Sequence, residues 1–167
     1  KKGQNPFEVF ESWFGEAKAT GMSKPEAACL ATASKKGRPS ARYVLYKGII
    51  DGGFSVFTNF ESHKGKDLLE NPWASLVFFW DNLGKQIRVE GSVIRLSPQQ
   101  SDQYWYSRPF DSQVSGAVSP QSSPIASFEE LEKEAQKLKA KYQDQGRVPR
   151  PSSWGGFIIV PDRIEFW

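Results

Sequence analysis

The chain has 167 residues, which is the size of one compact domain. Its 22 Lys and Arg against 19 Asp and Glu give a formal net charge of +3, too little for the extended phosphate neutralisation of a dedicated DNA-binding protein. Apolar residues make up 38% and aromatic residues 14%, so the chain can bury a substantial core and does not have the composition of a disordered protein.

The first segment predicts an amphipathic helix. Asn5 is a suitable N-cap and Pro6 fits the first turn. Apolar side chains then recur at helical spacing until Gly21, namely Phe7, Phe10, Trp13, Phe14 and Ala17. We expect this helix to dock on a core, with a lead-in that reaches residue 27.

From residue 28 the pattern changes to that of strands. Segments 28–34, 39–47 and 54–59 predict a β-meander with glycine-containing turns, and 61–70 predicts a short polar helix. Segments 73–80 and 85–96 predict two further strands around a turn. Sequential strands of this kind favour an antiparallel barrel, because closure of the sheet removes its exposed edges.

The last third of the chain predicts helices followed by strands. Ser97-Pro98 predicts a helix to about residue 106, and a capping box of Ser127 and Glu130 predicts another to about residue 142. A Pro-rich connection leads to two final strands, 154–160 and 163–167. We therefore expect one domain: helix and lead-in at 1–27, barrel strands at 28–96, a helical segment at 97–147 and final strands at 148–167.

The sequence is poor in the usual catalytic residues. One cysteine, Cys29, excludes an intrachain disulfide, and one histidine, His63, excludes a clustered histidine metal site. No nucleophile motif surrounds either residue, so hydrolytic chemistry and a metal centre are not expected. The apolar runs are far too short to span a bilayer, and we expect a soluble, cytoplasmic protein with no membrane or nucleic-acid partner, although a targeting segment before residue 1 is left open.

Cationic and hydroxyl groups at strand ends indicate anion binding. Arg42 and Lys47 bracket one predicted strand, and Ser62-His63-Lys64 begins a helix, where free N–H groups favour a phosphate. Arg42 and Lys47 are five residues apart and point to opposite faces of a regular strand. They therefore serve two sites, or one site if a bulge intervenes.

Two further segments carry polar side chains on one face. Gln86, Arg88 and Glu90 share a strand face on which a hydrogen-bonding ring could lie. Tyr104, Arg108 and Ser112 are spaced by four residues, which places a phenol, a guanidinium and a hydroxyl on one helix face, although Pro109 breaks that helix. This second set suits a second phosphate or is simply the polar edge of an amphipathic helix.

Seven blocks in order resemble the pyridoxamine 5′-phosphate oxidase family. They are RYVLYKG at 42–48, FTNFESHK at 57–64, QIRVEG at 86–91, YWYSRPFDSQ at 104–113, QSS at 121–123, WGGF at 154–157 and EFW at 165–167. The resemblance implies a mainly β (β+α) fold, a split β-barrel with flanking helices around an antiparallel Greek-key barrel. It also implies a homodimer with FMN at the interface.

The resemblance further implies the ligands and their contacts. The substrates would be pyridoxamine 5′-phosphate and pyridoxine 5′-phosphate, oxidised to pyridoxal 5′-phosphate with O2 as acceptor and H2O2 released. No catalytic residue is assigned, because the flavin carries the redox chemistry. The substrate phosphate would contact Lys47, Tyr104, Arg108 and Ser112. FMN would contact Arg42, Tyr43, Val44, Leu45, Lys47, Phe57, Thr58, His63, Lys64, Gln86, Gln121, Ser122 and Trp154.

Two departures from the family qualify this hypothesis. His63 stands where the family usually has Arg or Lys beside the FMN phosphate, so we expect a weaker or pH-sensitive contribution there. The family continues beyond the EFW block with an Arg-Leu-His stretch at the substrate and an Arg at FMN, for which the sequence to Trp167 has no counterpart. Without that segment, we expect weakened FMN binding and a steep loss of turnover.

Two alternatives stay open at this point. One is a catalytically impaired module that binds flavin or pyridoxal phosphate without turnover. The other is a small barrel that binds single-stranded nucleic acid through aromatic and basic side chains and is colourless when purified.

Overall fold

The structure is a computed structural model that describes residues 3–167, and in that range it contains five α-helices and seven strands. The helices are α1 (Pro6–Ala19), α2 (His63–Glu70), α3 (Pro98–Ser107), α4 (Phe110–Val118) and α5 (Phe128–Tyr142). The strands are β1 (Ala27–Ala33), β2 (Pro39–Leu45), β3 (Ile49–Ile50), β4 (Gly53–Asn59), β5 (Trp73–Trp80), β6 (Lys85–Arg95) and β7 (Trp154–Phe166). The expected mainly β class with flanking helices is confirmed.

The strands form one antiparallel sheet in the order β2-β1-β5-β6-β7-β4-β3. The predicted meander is wrong beyond its first hairpin, because β4 pairs with β3 and β7 and not with β2. Alternating residues and turn glycines predict which segments are strands. They do not predict which strands pair, because pairing depends on long-range packing.

The sheet closes on itself through the segment that links its two edge strands. Tyr46 N–H donates to Glu26 O beside β1, whereas Lys47 N–H donates to Ser55 O in β4. The chain therefore passes from one edge of the sheet to the other between adjacent residues. Gly48, at φ 103°, supplies the backbone conformation for this change. Curvature that brings the edges together is what a barrel requires.

The two predicted final strands are one strand, β7, which pairs with both β4 and β6. Its pairing with β6 shifts register between Glu90 and Gly91, opposite Pro161 and Asp162. A Cβ at Gly91 would lie 2.0 Å from Val160 O, so only glycine allows this approach. The bulge lets β7 bend with the barrel and continue through the proline.

The core is an aromatic cluster between α1 and the barrel. The Phe10 ring, which is fully buried, lies 4.8 Å from Phe54, 5.2 Å from Tyr46 and 5.1 Å from Phe78, measured between centroids. The Tyr46 hydroxyl donates to Glu11 Oε1 at 3.0 Å, so its polar end is satisfied at the helix. The prediction that α1 docks on a core is confirmed.

The helical segment contains one helix more than expected. α3 ends at Ser107 and α4 begins at Phe110, with Arg108 extended (φ −74°, ψ 148°) and Pro109 between them. The proline ends the first helix as expected, but it also directly precedes a second helix, α4, that the sequence analysis did not predict. Within residues 3–167 no helix has the length and apolar character needed to cross a bilayer.

Candidate active site

A cavity of about 420 Å³ opens between the end of β2, strand β4, and the α3–α4 junction. Most of the residues predicted to contact either ligand line it together. The lining residues are Tyr43, Val44, Leu45, Lys47, Phe57, Thr58, Lys64, Tyr104, Ser107, Arg108, Pro109, Ser112, Gln121 and Trp154. The residue sets expected at the cofactor and at the substrate thus share one continuous cavity.

At one end of the cavity lies the ammonium group of Lys64. Ser62 caps α2 by accepting from Gly65 N–H, which places Lys64 in the first helical turn. Lys64 is 7% exposed, and its Nζ donates to Thr58 Oγ1 (2.9 Å), Gln121 Oε1 (2.9 Å) and Ser62 Oγ (3.3 Å). Burial and then the nearby charge of Arg42 lower the pKa of Lys64 to about 8.

The α4–α5 loop reaches this end of the cavity through Gln121. Its Oε1 accepts from both Lys64 and the Thr58 hydroxyl, the latter at 3.0 Å. Ser122 follows at φ 66° and does not line the cavity. All three acceptors around the Lys64 ammonium are neutral, and Lys64 pairs with no carboxylate among the described residues. A buried cation that lacks a counter-ion favours an anionic ligand.

A second cation of the cavity lining is the Arg108 guanidinium, and the part of the cavity around it is called the Arg108 end. The guanidinium lies over the rings of Trp154 and Trp105, 4.7 Å and 5.0 Å from their centroids. Its Nη1 atom is buried and has no hydrogen-bond partner among the described residues. Burial lowers the pKa of Arg108, and the group is a strong donor whose capacity the protein does not use.

An aromatic wall connects the two ends. The Phe57 and Tyr104 rings stack at 3.9 Å between centroids, and Tyr104 is nearly parallel to Trp154 at 6.1 Å. Lys47 Nζ lies 6.0 Å from the Tyr104 centroid. Lys47 follows the end of β2 at a spacing of two from Leu45 and four from Tyr43, and all three side chains line the cavity, as strand alternation predicts.

Four predicted contact residues lie outside the cavity lining. Arg42 is behind it, with Nη1 donating to Thr32 Oγ1 (2.7 Å), Leu30 O (3.2 Å) and Ser40 O (3.2 Å). The side chain of His63 is 65% exposed, with Nε2 3.7 Å from Asp67 Oδ1. Ser122 and Gln86 are the other two.

Gln86 lies on the outer face of the sheet. Its backbone pairs with that of Trp167 through two hydrogen bonds of 2.8 Å, and Phe79 is its neighbour on β5. On the same face Arg88 is 3.0 Å from both Glu90 and Glu165, so the ring-binding surface expected along this strand is occupied by an ion-pair network.

Sequence reasoning missed Ser107 and Pro109 as lining residues. Both residues flank Arg108. Their position inside the family block at 104–113 could have identified them as candidates for the cavity lining. Sequence reasoning also missed Asp67, which is 5% exposed and lies on the buried side of α2. Its spacing of three from Lys64 and one from Leu68 in a short helix could have marked it as facing inward.

The residues fit a phosphate-bearing planar cofactor together with a second phosphate ester. Lys64 and Arg108 both line the cavity, the aromatic wall lies beside them, and neither cation has a protein counter-ion among the described residues. Two such cations can each hold an anionic group while the attached rings lie along the wall.

Comparisons with known proteins agree with this geometry. The model of the pyridoxamine 5′-phosphate oxidase family matches residues 14–142. A pyridoxine/pyridoxamine 5′-phosphate oxidase of Salinibacter ruber is 46% identical over 163 residues, covering 98% of this chain and 76% of that protein.

Two solved structures have the same fold. PhzG from Burkholderia lata, in complex with tetrahydrophenazine-1-carboxylic acid, superposes with a TM-score of 0.94 at 30% identity, covering 100% of this chain and 81% of that one. A pyridoxamine 5′-phosphate oxidase-related, FMN-binding protein from Nostoc punctiforme gives 0.74 at 15% identity, covering 98% and 85%, and supports the split-barrel fold alone. The family match over residues 14–142 and the 46% identity over 98% of this chain lead to one conclusion: this chain belongs to the pyridoxamine 5′-phosphate oxidase family.

Proposed function

We propose that this protein is an FMN-dependent pyridoxal 5′-phosphate synthase, an oxidase that acts in vitamin B6 biosynthesis and salvage. It converts pyridoxine 5′-phosphate and O2 to pyridoxal 5′-phosphate and H2O2, and with pyridoxamine 5′-phosphate it also consumes water and releases ammonia. The observation that carries this proposal is one cavity lined by two cations, Lys64 and Arg108, neither of which has a protein counter-ion among the described residues.

The Lys64 end is the one that suits the FMN phosphate. Thr58, Lys64 and Gln121 present a hydroxyl, an ammonium and an amide within 3.0 Å of one another, and Ser122 follows in the same loop. The backbone and side chains at 43–45 and the ring of Trp154 border the space that the isoalloxazine ring would occupy. FMN, when bound, would supply the acceptor for the substrate hydride and the reaction with O2.

The Arg108 end suits the phosphate of the vitamer. Arg108, Lys47, Tyr104 and Ser112 line the cavity there and can donate hydrogen bonds to phosphate oxygens. Anchoring the phosphate fixes the pyridine ring along the aromatic wall, so binding energy at the anchor orients the reacting C4′ some distance away. The protein's contribution is orientation, charge complementarity and exclusion of water.

We propose that the protein forms a homodimer through the outer face of the sheet, with FMN at the interface. Tyr43 on β2 is 80% exposed, Phe79 on β5 is 59% exposed, and Trp167, which pairs with Gln86 of β6, is 72% exposed. Exposed aromatic side chains beside ion pairs, here those of Arg88 with Glu90 and Glu165, are typical of the mixed apolar and polar surface of a protein–protein interface. Tyr43 also borders the cavity, so Gln86 on this face would reach the cofactor of the partner subunit.

The test is reconstitution of the apo-protein with FMN, followed by addition of each vitamer in air. We expect pyridoxal 5′-phosphate and H2O2 in equal amounts, in a protein that is yellow when purified with FMN. Retention of FMN without product would instead support a flavin-binding module that does not turn over. A protein that binds no FMN and binds oligonucleotides in a salt-sensitive way would contradict the proposal.

A further inference from the structure

Beneath α2 lies a buried polar network that the proposed chemistry does not use. Asp67 Oδ2 accepts hydrogen bonds from the hydroxyls of Thr32 (2.7 Å) and Ser40 (3.1 Å). The same two hydroxyl oxygens accept from the Arg42 guanidinium, Thr32 Oγ1 from Nη1 at 2.7 Å and Ser40 Oγ from Nη2. The Asp67 carboxylate itself is 3.9 Å from Arg42 Nη2.

The carboxylate determines the direction of both hydroxyls. A hydroxyl has one proton, and when this proton is donated to Asp67, only lone pairs remain for the guanidinium. Asp67 is 5% exposed and Thr32 3%, so water does not compete for these positions. The guanidinium is therefore held at two points by oriented acceptors, in addition to the backbone oxygens of Leu30 and Ser40.

Arg42 acts on the cofactor end of the cavity from this fixed position. Asp67, whose Oδ2 is 3.9 Å from Arg42 Nη2, lies three residues after Lys64 in α2, so the guanidinium is held about one helical turn from the Lys64 position. The nearby charge of Arg42 lowers the pKa of Lys64, although Arg42 itself does not line the cavity. A guanidinium that is immobilised beside a buried ammonium adds to the positive potential offered to an anion, with little ordering cost at the moment of binding. Left without these acceptors, the long side chain would sample other rotamers.

We propose that Asp67 is a positioning residue for phosphate binding: acting through Thr32 and Ser40, it holds Arg42 behind the Lys64 end of the cavity, where the FMN phosphate is bound. The inference rests on the proposed function, because it takes FMN as the ligand whose phosphate binds beside Lys64. Asp67, Thr32 and Ser40 do not line the cavity, and the sequence resemblance leaves these three residues without a role.

The test is a set of FMN titrations on apo-protein, followed by quenching of flavin fluorescence. Thr32→Val retains the shape of the side chain and the Asp67 charge but removes the bridging hydroxyl. We expect the Kd of Thr32→Val for FMN to be about tenfold higher than that of the wild type. Ser40→Ala should raise the Kd to a similar extent. Because Ser40 is only half-buried, Ser40→Ala is the variant to use if Thr32→Val does not fold. Thr20→Val, which removes a hydroxyl bonded to Ala17 O at the end of α1, should bind FMN as the wild type does.

The decisive comparison is made in an Arg42→Gln background. If Thr32 acts through Arg42, Thr32→Val causes no further loss there, whereas a general weakening of the fold would lower FMN affinity to the same extent in both backgrounds. Unchanged affinity in the single variants, or an equal loss in both backgrounds, would overturn this inference while leaving the proposed function intact. Failure of the wild-type protein to bind FMN would overturn both.

Discussion

Replacement of Lys64 by methionine should make the protein without FMN more stable and bind FMN more weakly. Lys64 carries a charge in a buried position, where desolvation and Arg42 lower its pKa from 10.5 to about 8. At about 1.36 kcal/mol per pH unit, holding this proton at neutral pH costs the folded state about 3 kcal/mol. Methionine fills a similar volume without the charge.

Part of this gain is offset by lost hydrogen bonds. Lys64 donates to Thr58, Gln121 and Ser62, but the Thr58 hydroxyl still bonds Gln121 and Ser62 Oγ still accepts from the α2 backbone. A net contribution of about 0.5–1 kcal/mol for each of the three lost bonds offsets about 1.5–3 kcal/mol, which leaves the variant up to about 1.5 kcal/mol more stable. Loss of a charge-assisted bond to phosphate, worth about 2–3 kcal/mol, should raise the Kd for FMN about 100-fold.

The assay is urea unfolding of both apo-proteins from pH 7 to pH 9.5, with no phosphate in the buffer. Because the folded state loses the Lys64 proton near pH 8 and the unfolded state keeps it to 10.5, wild-type stability should rise as the pH increases through this range. The variant should lack this rise. Lys66→Met, at an exposed position of the same helix, serves as the control and should match the wild type. A Lys64→Met protein that is less stable at pH 7, or that retains the wild-type pH dependence, would refute the reasoning.

Three further changes have defined outcomes. Arg108→Ala should raise the KM for both vitamers at least tenfold with nearly unchanged FMN content, as steady-state kinetics and the flavin-to-protein ratio would show; a loss of FMN equal to that in Arg42→Ala would contradict separate phosphate ends. Gly65→Ala should reduce stability by about 3 kcal/mol or more in thermal unfolding, because its Cβ would lie 2.3 Å from Phe60 O; a small effect would mean that α2 sits further from β4. Phe79→Glu should yield a monomer with weakened FMN binding in sedimentation and titration experiments, and a stable dimer would exclude the outer sheet face as the interface.

Local patterns identified the elements of this fold better than their partners. The caps at Asn5, Ser62, Ser97 and Ser127 each accept the backbone N–H bond that their sequence context indicates. The pairing of β4 with β7, more than ninety residues apart, has no local signature. Helix α4 was missed because a Pro-Phe-Asp start followed by Ser and Gly is a weak helix signal, which its packing against α5 overrides.

The residues that line the cavity were also predicted only in part from local sequence patterns. Tyr104, Arg108 and Ser112 do line one side of it, although the chain bends at Pro109 and the three residues do not belong to one helix. Lys47 lines the cavity with Tyr43 and Leu45 and without Arg42, as strand alternation indicates, whereas the change of sheet edge at residues 46–47 has no local signature. Asp67 was not singled out, because segment 61–70 predicts a polar helix, and the packing of α2 on β1 is what buries this carboxylate.

The central claim is that one cavity holds FMN and the vitamer in contact, each fixed by its own phosphate. The most direct test is an anaerobic titration of the FMN-reconstituted protein with pyridoxamine 5′-phosphate, followed by the visible flavin absorption. The account predicts loss of the oxidised flavin band in proportion to the vitamer bound, and return of the band when air is admitted. A flavin that stays oxidised while the vitamer is shown to be bound would contradict it.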